Sequence, residues 1–266
     1  MASLNIELFS NCLNRATSFK MIIPTDRRFD PLNKAEENPN LNRPMRTLFL
    51  LHGYTGKGDC WIPEHLIEQY NFAVVCPSGE NSFWLNGLST GHAFQSFVGE
   101  ELVDFVRKTF GLAKNREETY IMGLSMGGFG ALHTALAYPD VFSKTAPLSS
   151  AFVQHEVANM NPGNLGKAHE IANYDFYREC FGEPSELLES EKNPETLVKK
   201  LLREKKKLPE IFMSVGTEDF LLEQNRAMHK FLEEHGVEHT YLEWEGAHDM
   251  KFWHESAEKF IPIMMK

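Results

Sequence analysis

The apolar residues of this chain fall into short continuous runs, separated by stretches with helical spacing. Arg46–Leu51 (Arg-Thr-Leu-Phe-Leu-Leu) is almost wholly apolar, as expected for a strand of a parallel sheet covered on both faces. Phe72–Cys76 (closed by Pro77), residues 119–122, Phe142–Leu148, Ile211–Val215 and His239–Trp244 predict further strands. Between them, 62–70, Gly99–Phe110, 126–137, 221–235 (ended by Gly236) and 250–260 predict helices. Two β-prone runs, 4–9 and 17–23, predict an entry hairpin, and 26–45, rich in Asn, Pro and charge, predicts a loop. Strands alternating with helices predict a mainly parallel sheet with helices on both sides.

The rhythm breaks over residues 150–208, which carry Asn, Gly, Pro and clustered charge. Asn193-Pro194-Glu195 predicts a capping residue, a first-turn proline and a favourable acid opening a helix to about 204. The stretch reads as an insertion, or cap, on a single domain spanning 1–266. The charge run Lys199–Lys207 reads as a solvated helix face.

A chain of 266 residues with 42% hydrophobic content can bury one large core. Its formal net charge of −10 argues against nucleic acid as a partner. Cys12, Cys60, Cys76 and Cys180 are scattered, with no C-x-x-C pair, and read as buried thiols of a reducing compartment. No basic, then apolar, leader opens the chain, and no apolar run reaches membrane-spanning length. A cytoplasmic protein without a membrane partner is the expectation, with homo-oligomerisation left open.

The candidate chemistry centres on Thr-Tyr-Ile-Met-Gly-Leu-Ser-Met-Gly-Gly-Phe-Gly, residues 119–130. A strand, Gly123-x-Ser125-x-Gly127 and a helix form the setting of a nucleophile elbow. A serine alcohol is a poor nucleophile at neutral pH and needs a sharp turn to expose it and a base to take its proton. On this architecture the acid and then the base follow the serine, on loops beyond the carboxyl ends of strands. Asp219, in Gly216-Thr217-Glu218-Asp219-Phe220, and His248, in Glu245-Gly246-Ala247-His248-Asp249, fit those places. Glu218 and Asp249 are rival acids and His52 a rival base. The last is more at home supporting the loop His52-Gly53-Tyr54. An oxyanion hole needs backbone N–H donors aimed at the developing charge. The residue after the serine, Met126, and Tyr54 of the early loop are the candidates. Trp84, in Asn81-Ser82-Phe83-Trp84-Leu85-Asn86, is a candidate substrate-binding residue, with plugging of the core as its alternative role. Trp61, Trp253, Phe176 and Tyr177 are further candidates for the pocket. No H-E-x-x-H or comparable ligand spacing occurs, so neither a metal nor any other cofactor is expected.

Taken together, Leu50-Leu51-His52-Gly53, Gly123-Leu124-Ser125-Met126-Gly127-Gly128, Gly216-Thr217-Glu218-Asp219-Phe220 and Gly246-Ala247-His248 resemble the esterase family of α/β-hydrolases. That family includes tributyrin esterases and S-formylglutathione hydrolases, and mycolyltransferases are more distantly similar. The likeness to small tributyrin-type esterases extends through Ser82–Gly87 and Asp175–Gly182, and so covers about 45–260. The resemblance implies an α/β-hydrolase fold, Ser125 as nucleophile, Asp219 as acid, His248 as base, and Tyr54 and Met126 as oxyanion donors. It implies hydrolysis of short-chain acyl esters, acetyl or aryl, including carbohydrate-linked acetyl or feruloyl esters. A small-molecule or oligosaccharide ester is then the partner. Acyl transfer to a sugar alcohol uses the same groups, and a non-catalytic binding protein on this scaffold is the remaining alternative. The S-formylglutathione hydrolases are expected to carry a longer N-terminal half and a longer region before the elbow, which argues against a glutathione thioester substrate.

Overall fold

The computed structural model describes residues 1–24, 38–162 and 171–266. Eight strands form one sheet in the order β1-β2-β4-β3-β5-β6-β7-β8. They are β1 (Ala2–Ser10), β2 (Arg15–Ile23), β3 (Arg46–Leu51), β4 (Phe72–Pro77), β5 (Thr119–Leu124), β6 (Lys144–Leu148), β7 (Glu210–Gly216) and β8 (His239–Trp244). The β1–β2 hairpin is antiparallel, and β2 joins β4 antiparallel. Every pairing from β4 to β8 is parallel.

Because successive side chains of a strand point to opposite faces, each central strand feeds two cores. Leu48 and Leu50 of β3, Val74 of β4, and Tyr120 and Met122 of β5 pack on one face. That face is covered by α1 (Glu64–Tyr70) and α9 (Met250–Met264), the latter supplying Phe252, Ala257, Phe260 and Ile261. Phe49, Leu51, Val75, Ile121 and Met213 point the other way. There they meet α2 (Phe94–Ser96), α3 (Val103–Phe110), α4 (Met126–Ala137) and α8 (Leu222–Glu234). This is an α/β-hydrolase fold, as the alternation predicts.

The differences from expectation are local. The helix predicted from Gly99 begins at Phe94 and passes through a π-helical stretch, Phe97–Leu102. Gly99 lies within it, and a Cβ there would sit 2.3 Å from the Tyr138 ring. In the same stretch Glu101 accepts hydrogen bonds from Ser10 Oγ (2.5 Å) and Asn11 N–H (2.7 Å), tying down the hairpin turn. Most of the loop expected at 26–45 lies outside the described residues, as does 163–170 of the expected insertion. The rest of that insertion is more helical than its composition suggests. It holds α5 (Gln154–Ala158), α6 (Tyr174–Phe181), a 3-10 turn over Pro184–Glu189 and α7 (Pro194–Arg203). Asn193 caps α7, its side chain accepting from Glu195 N–H at 3.0 Å. The cysteines are less scattered than the sequence suggests, for the Cys60 and Cys76 thiols lie together and interact.

Candidate active site

The parallel order brings the ends of β3, β5, β7 and β8 to one edge of the sheet. At the end of β5 the chain turns sharply into α4, and Ser125 occupies the corner at φ 56°, ψ −121°. A positive φ is uncommon for a residue with a side chain, and such strain persists only where the surroundings enforce it. Here Ser125 N–H donates to Leu148 O at 2.9 Å, and Ser125 O accepts from Gly128, Phe129 and Ala151 N–H at 3.0–3.1 Å. The flanking glycines make the turn sterically feasible. A Cβ on Gly123 would lie 2.1 Å from Gly127 O, and one on Gly127 would lie 2.3 Å from Leu51 O.

The loop after β7 supplies Asp219, whose carboxylate is fully buried. Its Oδ1 accepts from Leu221 N–H at 2.8 Å, and its two oxygens face His248 Nδ1 at 3.0 and 2.9 Å. A buried carboxylate on Nδ1 fixes the imidazole so that Nε2 is left to accept a proton. Phe220 and Trp253 flank that imidazole, with ring centroids 4.5 and 5.0 Å away. The Ser125 hydroxyl has no hydrogen-bond acceptor among the described residues. Such a contact is commonly long before substrate binds. Phe220 bridges the two groups, since it also lines the cavity that opens on Ser125.

The loop after β3 lies against the elbow, where a Cβ on Gly53 would come within 3.3 Å of Ser125 Cβ. Tyr54 N–H and Met126 N–H donate to no protein acceptor among the described residues, leaving two orphan donors beside Ser125. His52 is fully engaged. Gly79 N–H donates to its Nε2 at 2.9 Å, so Nδ1 carries the hydrogen and donates to Gly53 O at 2.8 Å. Burial pushes its pKa down, and the neutral ring serves as a brace for the loop.

The cavity over Ser125 is walled by Tyr54, Met126, Ala151, Val153, Tyr177 and Phe220, among others. Its volume open to the centre of a water molecule is about 20 Å³, little more than one water requires. The place assigned to Trp84 needs correction. It is wholly buried and absent from the cavity wall. Its Nε1–H donates to His52 O at 3.1 Å, and its ring lies against Gly79 and Gly130. The indole is large enough to fill the space beneath the loop, and the loop's backbone, with Phe83 and Trp84 both at positive φ, turns it inward. Trp61 does not line the cavity either, and Trp253 reaches the site only through His248. Of the insertion aromatics, Tyr177 is in the wall and Phe176 packs edge-on against Tyr54, with centroids 5.7 Å apart. Sequence reasoning passed over Ala151, Val153 and the Phe220 ring. The signal for Phe220 was its position next to the proposed acid.

A family model described as "Putative esterase" matches residues 35–262. The chain belongs to the Esterase family. An acetyl esterase of Caldicellulosiruptor saccharolyticus is 39% identical over 270 residues, covering 100% of this chain and 99% of the relative. Among solved structures, the fluorophosphonate-binding serine hydrolase F of Staphylococcus aureus matches with a TM-score of 0.81 at 25% identity, over 100% of this chain and 98% of the other. The S-formylglutathione hydrolase of the same organism matches with a TM-score of 0.80 at 24% identity, over 100% and 99%. That last coverage overturns the length argument, since an S-formylglutathione hydrolase of matching extent exists. The esterase is a serine ester hydrolase. Among its described residues no helix is long and apolar enough to cross a membrane.

Proposed function

We propose that this esterase hydrolyses short-chain acyl esters, acetyl esters foremost, through an acyl-enzyme on Ser125. The observation that carries the reading is the narrow cavity over a strained serine, whose wall residue Phe220 packs on an imidazole fixed by a buried carboxylate. In the first half-reaction His248 Nε2 takes the hydroxyl proton as Ser125 Oγ attacks the ester carbonyl. Asp219 stabilises the imidazolium, and Tyr54 and Met126 N–H receive the oxyanion. The proton passes to the leaving alcohol. Water then attacks the acyl-enzyme, with His248 again as base. The small cavity holds the acyl group, and residues from the insertion between β6 and β7, notably Tyr177, form part of its cap. The 39% identical acetyl esterase supports the same acyl preference.

Turnover of 4-nitrophenyl esters of increasing chain length tests the reading. kcat/KM is expected to be highest for acetate and to fall steeply beyond butyrate. In Ser125→Ala, kcat with the acetate is expected to drop at least about 1,000-fold. Equal rates from acetate to octanoate would refute the assigned acyl cavity, and an active alanine variant would refute the nucleophile.

A further inference from the structure

The fold brings the thiols of Cys60 and Cys76 together, and neither takes part in the proposed reaction. Backbone packing holds them there. Cys76 lies in β4, wholly buried in the core under α1 and α9, and Lys20 of β2 is its cross-strand partner. Lys20 Nζ reaches Asp59 Oδ1 at 2.7 Å, and the same oxygen accepts from Cys60 N–H at 2.9 Å. The segment passes so close to β4 that a Cβ on Gly58 would lie 2.6 Å from Cys76 O. Cys60 packs against the same core but is only half-buried. One sulfur is therefore enclosed, and the residue carrying the other is open to a small solute.

The two thiols are unequal in the sense a redox pair requires. The hydrogen bond with Cys76 lowers the Cys60 pKa, and with Ile62 N–H and Lys20 acting the same way it outweighs burial. The same hydrogen bond, together with burial, pushes the Cys76 thiol well up. A thiolate within reach of solvent is the form an oxidant attacks, and a protonated thiol beside it is placed to resolve the product. Two sulfurs are too few for a structural zinc site, which takes four ligands. Among the described residues no group of three or more histidine, cysteine or acidic side chains could hold a metal ion.

We propose that Cys60 and Cys76 form a peroxide-responsive site that closes to a disulfide and thereby displaces the loop carrying Tyr54. The Cys60 thiolate attacks one oxygen of hydrogen peroxide. The O–O bond breaks, hydroxide leaves, and Cys60 becomes the sulfenic acid. The Cys76 sulfur then attacks Cys60 Sγ, the S–O bond breaks, and a second hydroxide leaves. The two thiol protons complete two waters, so the sulfurs together give up the two electrons that peroxide takes. A disulfide brings its sulfurs to about 2.05 Å, well inside a hydrogen bond between thiols. Residue 60 must then be drawn toward β4, and Gly58, already against Cys76 O, leaves no slack to absorb the movement. The shift passes back along residues 53–59 to Tyr54 N–H, and misplacement of a reacting group by about 1 Å is costly to turnover. The cross-link stands apart from the reading of Ser125, whereas its effect on turnover rests on Tyr54 as an oxyanion donor.

The test treats the full-length protein with a modest excess of hydrogen peroxide and digests it without reduction. Mass spectrometry is expected to find the Cys60 and Cys76 peptides joined. kcat for 4-nitrophenyl acetate is expected to fall about fivefold or more with little change in KM. Dithiothreitol is expected to reverse both. Cys60→Ser is expected to form no cross-link and to keep its turnover through the same treatment, which separates the effect from oxidation of methionines. In Cys76→Ala, Cys60 is expected to stop at the sulfenic acid and to be captured by dimedone. Peptides that stay unjoined in the wild type, or a Cys60→Ser protein inactivated as fast as the wild type, would overturn the proposal. A cross-link that leaves kcat unchanged would overturn its hold on the loop. Ser125→Ala is treated in parallel and is expected to cross-link like the wild type, so failure of the nucleophile assignment shows in turnover and not in the cross-link.

Discussion

Three cases show how far one position's surroundings decide its role. Ser125 is forced into an unfavourable backbone conformation by glycines that admit the neighbouring carbonyls and by hydrogen bonds on both sides of its peptide. Trp84 and His52 have side chains suited to a binding site, yet the fold uses both as struts under the loop that carries Tyr54. Cys60 and Cys76 form the third case. Hydrogen bonding with Cys76, with Lys20 nearby, lowers the Cys60 pKa, while the Cys76 thiol is pushed up. Burial raises Cys12 to about 11 and Cys180 to about 12. Since the thiolate is the reactive form, iodoacetamide at pH 8 is expected to label Cys60 first. Cys12 should follow, with Cys76 and Cys180 last, as read by peptide mass spectrometry over time. Simultaneous labelling of Cys60 and Cys180 would contradict the assignment.

At the scale of elements, α7 shows a terminus that local chemistry specifies. Asn193 is buried, its Oδ1 accepts from Glu195 N–H, and its Nδ2 donates to Leu188 O at 2.9 Å. Asn193→Ala removes the cap and one of the two hydrogen bonds to Leu188 O, the other coming from Thr196 Oγ1 at 2.8 Å, so a loss of about 1–2 kcal/mol in urea unfolding is expected. Asn193→Asp keeps the acceptor and should lose less. Elements of this kind could be read from sequence because the information is local. The same holds for β3, matched end to end, because a strand covered on both faces needs a continuous apolar run, and the bounds of β8 also match although it is a half-buried edge strand. The Ser125 elbow and the loops holding Asp219 and His248 were legible through spacing and order. α6 was not, because its eight residues mix charge with aromatics whose partners, Phe83 and Tyr54, lie far away in sequence. The cavity wall was equally hidden. Ala151 and Val153 carry no chemical signature, and only the return of the chain after β6 places them beside Ser125. That return is pinned by Asn225 of α8, which bonds Ser150 N–H at 3.1 Å and Ser150 O at 2.9 Å.

At the scale of the molecule, burial of one histidine sets an acid limit. His133 of α4 is enclosed, with Nε2–H donating to Glu191 O at 2.8 Å and Nδ1 accepting from Gln95 Nε2 at 3.0 Å. Burial lowers its pKa to about 4, with Lys192 adding to the effect and the Glu191 carboxylate opposing it. The unfolded chain protonates near 6.5, so between that pH and about 4 the unfolded state holds the extra proton. Stability from this group is complete above pH 6.5 and is lost as pH falls across that window, by about 2 kcal/mol at pH 5. His52, also lowered by burial, acts in the same direction. Urea unfolding at pH 7.5 and pH 5 is expected to show a loss smaller by about that amount in His133→Gln, and an identical loss in both proteins would contradict it.

The order of strands has a consequence of its own. Ser125, Asp219 and His248 follow β5, β7 and β8, whereas Ala151, Val153, Ile171 and Tyr177 of the cavity wall come from the excursion between β6 and β7. A share of the taste is thus written apart from the proposed machinery, on a separate length of polypeptide. A lineage can rewrite one length to meet a new ester and leave the other untouched.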